Sequence, residues 1–94
     1  MKTYHNNPDL FVEKAEILKA LSHPARLCIV KGLLEKGNSN VTNMCHCLDM
    51  PQSTISQHVS KLKSAGIIKG NRNGLEIIYS VYNKDVKKII EALF

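Results

Sequence analysis

The stretch from Pro51 to Gly74, PQSTISQHVSKLKSAGIIKGNRNG, decides how this chain is read. It holds four basic residues, Lys61, Lys63, Lys69 and Arg72, and no acidic one. Of the 13 Lys and Arg and 8 Asp and Glu in the chain, the remaining nine basic and all eight acidic residues lie outside it, so the rest is nearly neutral. A local basic stretch free of acids is the electrostatic footprint of a polyanion partner, although a solvated positive face gives the same count.

Inside the stretch a helical period runs from about Ser53 to Ala65. Ile55, Val59 and Leu62 recur on one side, and Gly66 stops the run. With that side inward, Ser53, Gln57, Ser60 and Ser64 face outward, with Thr54, Ser56 and Lys61 on the flanks. The outward face near the helix start is short, polar and uncharged, which suits close approach to base edges and phosphates. Gln57 matches adenine in a bidentate pair, and Gln52, Ser53, Thr54 and Ser56 are within reach of phosphates or bases. The helix start adds backbone N–H groups for a phosphate, and Lys61 and Lys63 reach the flanking backbone. His58, beside the apolar side, reads as half-buried or phosphate-facing rather than as a metal ligand.

Next come Ile67-Ile68-Lys69 and Leu75 to Val81, two strand-like runs about a loop containing Arg72-Asn73-Gly74. Asn-Gly predicts a hairpin with a type I′ turn, whose two central residues need positive φ. Arg72 and Asn73 at this tip are placed to enter a neighbouring minor groove, with Lys69 on the backbone; a solvated hairpin charge is the alternative.

Upstream, Val41 to Asp49 carries Val41, Met44, Cys45 and Leu48 at helical spacing, and Pro51-Gln52-Ser53 is read as a tight corner. Two short-linked helices, the second amphipathic and basic, make a helix-turn-helix. Asn7-Pro8-Asp9 starts a first helix to about Leu21, and Ser22-His23-Pro24 breaks and restarts the pattern into Ala25 to Lys36. A last helix, about Lys84 to Phe94, aligns Val86, Ile89, Ile90, Leu93 and Phe94. The fold expected is mainly α with a β-hairpin wing, a winged helix-turn-helix of order α-α-α-α-β-β-α. Residues 1–94 form one domain, with the helix-turn-helix at 41–65 and the wing at 67–82. The outer helices carry more apolar surface than so small a core can cover, so 9–21 and 84–94 are expected to form the seam of a homodimer.

The composition, 94 residues with 44% hydrophobic and no Trp, fits one small aliphatic-cored domain. No apolar run approaches the ~20 residues of a membrane span, and the N-terminus lacks the apolar core of a signal peptide. Three cysteines do not read as a secreted disulfide framework, so a cytoplasmic protein with reduced thiols and no membrane partner is expected. No nucleophile–base pair, phosphate loop or cofactor fingerprint stands out, so an enzyme is not expected. An adaptor that binds an acidic protein through the same face is the rival from another class.

The segments ALSHPARLCIVKGLL (20–34) and MPQSTISQHVSKLKSAGIIKGNRNGLEIIYSV (50–81) resemble the ArsR/SmtB family of winged-helix repressors. The likeness runs from about Ala20 to Val81, and within the family it points to a branch that holds a virulence-gene repressor. The resemblance implies a homodimer on an inverted-repeat operator in double-stranded DNA, released by a ligand or a redox change. Its recognition contacts carry over to Ser53, Ser56 and Gln57. Many members sense metal, and Cys45-His46-Cys47 offers soft ligands. In register, however, the family's Cys-x-Cys positions fall on Asn40 and Thr42. On the last helix Asp85 is followed by Lys87, with no His. No metal site and no cofactor are therefore expected. Cys45 and Cys28 are read as small core residues. Cys45 and Cys47 point about 200° apart and do not easily close one chelate or disulfide. A redox switch drawn from Cys28, Cys45 and Cys47, or a metal response at a new site, stays as the alternative.

Overall fold

A computed structural model describes residues 5–94. Five helices and one hairpin follow the expected order: α1 (Pro8–Leu21), α2 (Pro24–Lys36), α3 (Val41–Leu48), α4 (Gln52–Ser64), β1 (Ile68–Asn73), β2 (Glu76–Val81) and α5 (Lys84–Leu93). The helix starts are chemical. Asn7 accepts the Leu10 N–H on its side-chain oxygen at 3.3 Å, and His23 accepts the Ala25 N–H on Nδ1 at 3.1 Å. Each cap precedes a proline whose missing N–H costs nothing at that position. Asn40 caps α3 by accepting the Asn43 N–H at 2.8 Å, and Asn83 caps α5 by accepting from Asp85 and Val86. Asp49 ends α3 in the left-handed region, at φ 53°.

The first strand, the α3–α4 corner and the hairpin turn differ from the sequence reading; β1 leaves out Ile67 and runs on to Asn73 rather than ending at Lys69. The corner between α3 and α4 lies at 49–51, and Gln52 and Ser53 already belong to the first turn of α4, capped by extended Pro51. The hairpin turn is also displaced by one residue. Asn73 pairs with Glu76, so the two loop residues are Gly74 and Leu75 rather than Asn73 and Gly74. Gly74 has φ 67°, while neither Asn73 nor Leu75 has positive φ. That is the pattern of a type II′ turn, in which a single glycine at the first central position suffices.

The core draws buried side chains from all five helices and the base of the wing. Ile55, Leu62, Ile67, Ile68, Val30 and Val86 are its largest fully buried side chains, and Val59 joins them. Burying each such side chain stabilises the fold by about 1.5–3 kcal/mol. The wing is fastened on its inner side as well. Ser39, between α2 and α3, exchanges both backbone hydrogen bonds with Tyr79 of β2, at 3.1 and 2.8 Å.

Gly70 stands opposite Tyr79 in the hairpin. A Cβ there meets Ile77 Cγ2 at 2.7 Å and Tyr79 Cε1 at 2.9 Å. Tyr79 is buried and has little room to yield. Gly70→Ala is expected to cost about 1–3 kcal/mol by overpacking, read as a lower midpoint in urea unfolding. An unchanged midpoint would show that the strand shifts freely.

Candidate nucleic-acid interface

Helix α4 presents one face to the core and the other to solvent. Ile55, Val59 and Leu62 are buried; Gln52, Ser53, Ser56, Gln57, Ser60, Lys61, Lys63 and Ser64 are exposed, and Thr54 is half-buried. No side chain caps the start of α4. Pro51 O accepts the Thr54 and Ile55 N–H groups, both at 3.1 Å, which leaves the first-turn amides of Gln52 and Ser53 facing outward. The N-terminal end of α4 is thus positive in potential without carrying an ionised group, and no acidic residue lies in its first turn.

The wing carries the remaining charge. Lys69, Arg72 and Asn73 lie on β1 and are exposed, with Arg72 opposite Ile77. Lys69 Nζ sits 5.9 Å from the centre of the Tyr82 ring, a contact that leaves its charge available. Among the described residues, ion pairs join Lys14 to Asp85 and Lys31 to Glu35, and none involves Lys61, Lys63, Lys69 or Arg72. At the far end of the wing Glu76 is held by Asn40, whose Nδ2 donates to Glu76 Oε1 at 3.0 Å. Asn40 therefore acts both as the cap of α3 and as a brace to β2.

His58 is half-buried and faces the junction of α1 and α2. Arg26 Nη1 donates to its Nδ1 at 3.4 Å, and the His23 ring packs against it with centroids 4.6 Å apart. Arg26 Nε also donates to Ala20 O at 2.6 Å. Burial, then the neighbouring His23, Arg26 and Lys61, hold the His58 pKa below the ordinary imidazole range. The sequence reading did not find Arg26 or His23. Ser22-His23-Pro24 was legible as a helix restart, but nothing local connects Arg26 to a residue 32 positions away.

Asn83 was also missed. Besides capping α5, its Nδ2 donates to Gly66 O at 3.2 Å, where the chain leaves α4 with φ 76°. One side chain thus joins the end of the outward-facing helix to the start of α5.

All three cysteines are free thiols. Cys45 is half-buried against the core, and Cys47 is exposed with Lys36 Nζ 3.8 Å from its Sγ. Cys28 is exposed, which corrects its reading as a core residue. It stands about 200° round α2 from fully buried Val30 and falls on an open groove of about 680 Å³ between α2 and α3, which Cys47 also lines.

A family model described as "Bacterial regulatory protein, arsR family" matches residues 23–69. The transcriptional repressor PagR of Bacillus anthracis is 46% identical over 81 residues, 86% of this chain and 81% of PagR. Its crystal structure superposes with a TM-score of 0.83, covering 89% of this chain and 95% of that one. The HTH-type transcriptional repressor SmtB of Mycobacterium tuberculosis is 36% identical over 80% of this chain and 55% of its own length. The homodimeric winged helix-turn-helix DNA-binding domain Mb0332 of Mycobacterium bovis has a TM-score of 0.84 at 26% identity, covering 99% of this chain and 85% of that one. With the helix order, the uncharged outward face of α4 and the basic wing already in place, these matches settle the family. The chain belongs to the arsR family of bacterial regulatory proteins, DNA-binding transcriptional regulators built on a winged helix-turn-helix.

Proposed function

We propose that this protein is a homodimeric repressor that binds an inverted-repeat operator, with α4 in the major groove and the wing over the adjacent backbone and minor groove. One observation carries the reading. The outward side of α4 is polar and uncharged at its start, and it is bordered by four cations that pair with no carboxylate among the described residues. In this arrangement Gln57 reads a base, while Ser53, Thr54 and Ser56, the first-turn amides, Lys61, Lys63, Lys69 and Arg72 grip phosphates or line the minor groove.

The dimer is supported by apolar side chains that the fold leaves in solvent. On α1 these include Val12, 51% exposed, and Leu18, 56%; at the end of α5 they are Leu93, 63%, and the capping residue Phe94, 69%. Lys14 of α1 reaches Asp85, in the first turn of α5, at 3.9 Å, so the two helices meet there. A closed two-fold pair covers such a patch once on each subunit and sets two reading heads at a fixed spacing.

The roles are separable. Gln57→Ala is expected to lower affinity for a selected palindromic duplex by about tenfold or more and to leave random DNA unchanged. Arg72→Ala is expected to weaken both to a similar degree. Fluorescence anisotropy on the two duplexes checks this, and equal losses on both duplexes for both variants would overturn the assignment.

A further inference from the structure

The contacts of His58 point away from DNA. Arginine has only donors, so an Arg26 Nη1–H···Nδ1 bond requires a lone pair on His58 Nδ1. His58 must therefore be the neutral tautomer with its proton on Nε2. The same guanidinium holds Ala20 O at the end of α1, and the His23 ring, fixed by its cap to Ala25, closes the other side. The groups facing the imidazole are His23 and Arg26 from the α1–α2 junction and Lys61 from its own helix; no carboxylate pairs with it among the described residues. A proton on Nδ1 has no acceptor there. It displaces Arg26 and adds a cation to a cationic cluster.

We infer that His58 is a positioning residue for DNA reading: in its neutral form it docks α4 on the Arg26 fork and so orients the face that carries Ser53 and Gln57. The inference rests on the proposed DNA-binding role of α4 but makes a separate demand, that protonating this one imidazole loosens the reading helix. The lowered pKa agrees with the geometry. The unfolded or undocked chain takes the proton more readily than the docked one, so docking is complete above about pH 6.5 and is lost as pH falls through the lowered value.

The sign of the pH effect separates this role from a phosphate contact. A histidine on a phosphate gains affinity as it charges; His58 loses it. The experiment titrates affinity for a duplex selected from a randomised library between about pH 7.5 and 5.5, for the wild type and for His58→Gln. Glutamine keeps an oxygen acceptor for Arg26 and cannot be charged. Wild-type affinity is expected to fall by up to about tenfold per pH unit per subunit relative to His58→Gln, the slope of one linked proton. A wild-type profile that rises on acidification relative to the variant, or two parallel profiles, would overturn the inference. Arg26→Lys offers a second variant, since a single ammonium nitrogen does not reproduce the fixed spacing of Nε and Nη1 in the planar fork; it is expected to lower affinity by about tenfold at pH 7.5, and no loss would count against the role. Amide exchange in α4 of the free protein gives a readout independent of DNA. It is expected to accelerate with acid in the wild type and not in His58→Gln. If no duplex is bound, the DNA reading fails, and this exchange comparison still decides the docking role.

Discussion

Raising the salt from about 50 to about 200 mM should weaken the complex with a specific duplex by about ten-thousand-fold. The figure follows from counterion release. Each phosphate neutralised on duplex DNA contributes about −0.9 to the slope of log affinity against log salt. Along α4 and the wing, four cations per subunit form no ion pair among the described residues, Lys61, Lys63, Lys69 and Arg72, hence eight in the proposed dimer. If all eight engage, the slope is about −7, and a fourfold rise in salt costs about four orders of magnitude. Replacing Lys63 by Gln should make the slope shallower by about two, since the change occurs once in each subunit. Anisotropy titrations at four or five salt concentrations measure both slopes. A wild-type slope near zero would remove direct DNA binding from consideration, and a slope unaffected by Lys63→Gln would take that lysine out of the interface.

Placing a charge in the exposed apolar patch of α1 tests the other half of the reading. Leu18 is more than half exposed in the single subunit, so Leu18→Glu should leave helix content intact. In the proposed dimer it buries two carboxylates without partners, a cost of several kcal/mol that the interface does not recover. Sedimentation velocity is expected to show monomers at concentrations where the wild type is dimeric. Operator affinity should then fall by about 10²–10⁴, the advantage of a second linked head. A wild type that sediments as a monomer, or a variant that remains dimeric, would move the seam elsewhere.

Much of this was readable because local chemistry and tertiary structure agree. The period of Ile55, Val59 and Leu62 fixed the inner side of α4, and every outward residue it implied is exposed or half-buried. Asn7-Pro8 and His23-Pro24 marked helix starts because capping is a matter of adjacent residues. Strand β1 was harder. Gly70-Asn71-Arg72-Asn73 shows no alternation, since only Ile68 of β1 is buried, and the strand exists because β2 pairs with it. That pairing set the register and moved the turn to Gly74-Leu75. Cys28 was misread because α2 has apolar residues over much of its circumference, so its pattern did not say which side would be covered. The Arg26–His58 and Asn40–Glu76 bonds were invisible for a simpler reason: each links residues 32 or 36 positions apart, and neither member carries a local sign of the other.

The bond from Asn83 to Gly66 O bears on what a two-headed protein measures. A reader of paired half-sites needs a ruler as well as a lens. In the proposed dimer one part of that ruler is the hydrogen-bonded path from the end of α4 through Gly66 and the Asn83 amide into α5. Because one amide grips both ends of that path, it fixes how α4 sits against α5 inside each subunit, and the seam of the proposed dimer then sets the distance between the two heads. For the proposed dimer this makes operator spacing a dimension carried by the protein, with half-site centres expected about one helical turn of DNA apart or a multiple of it.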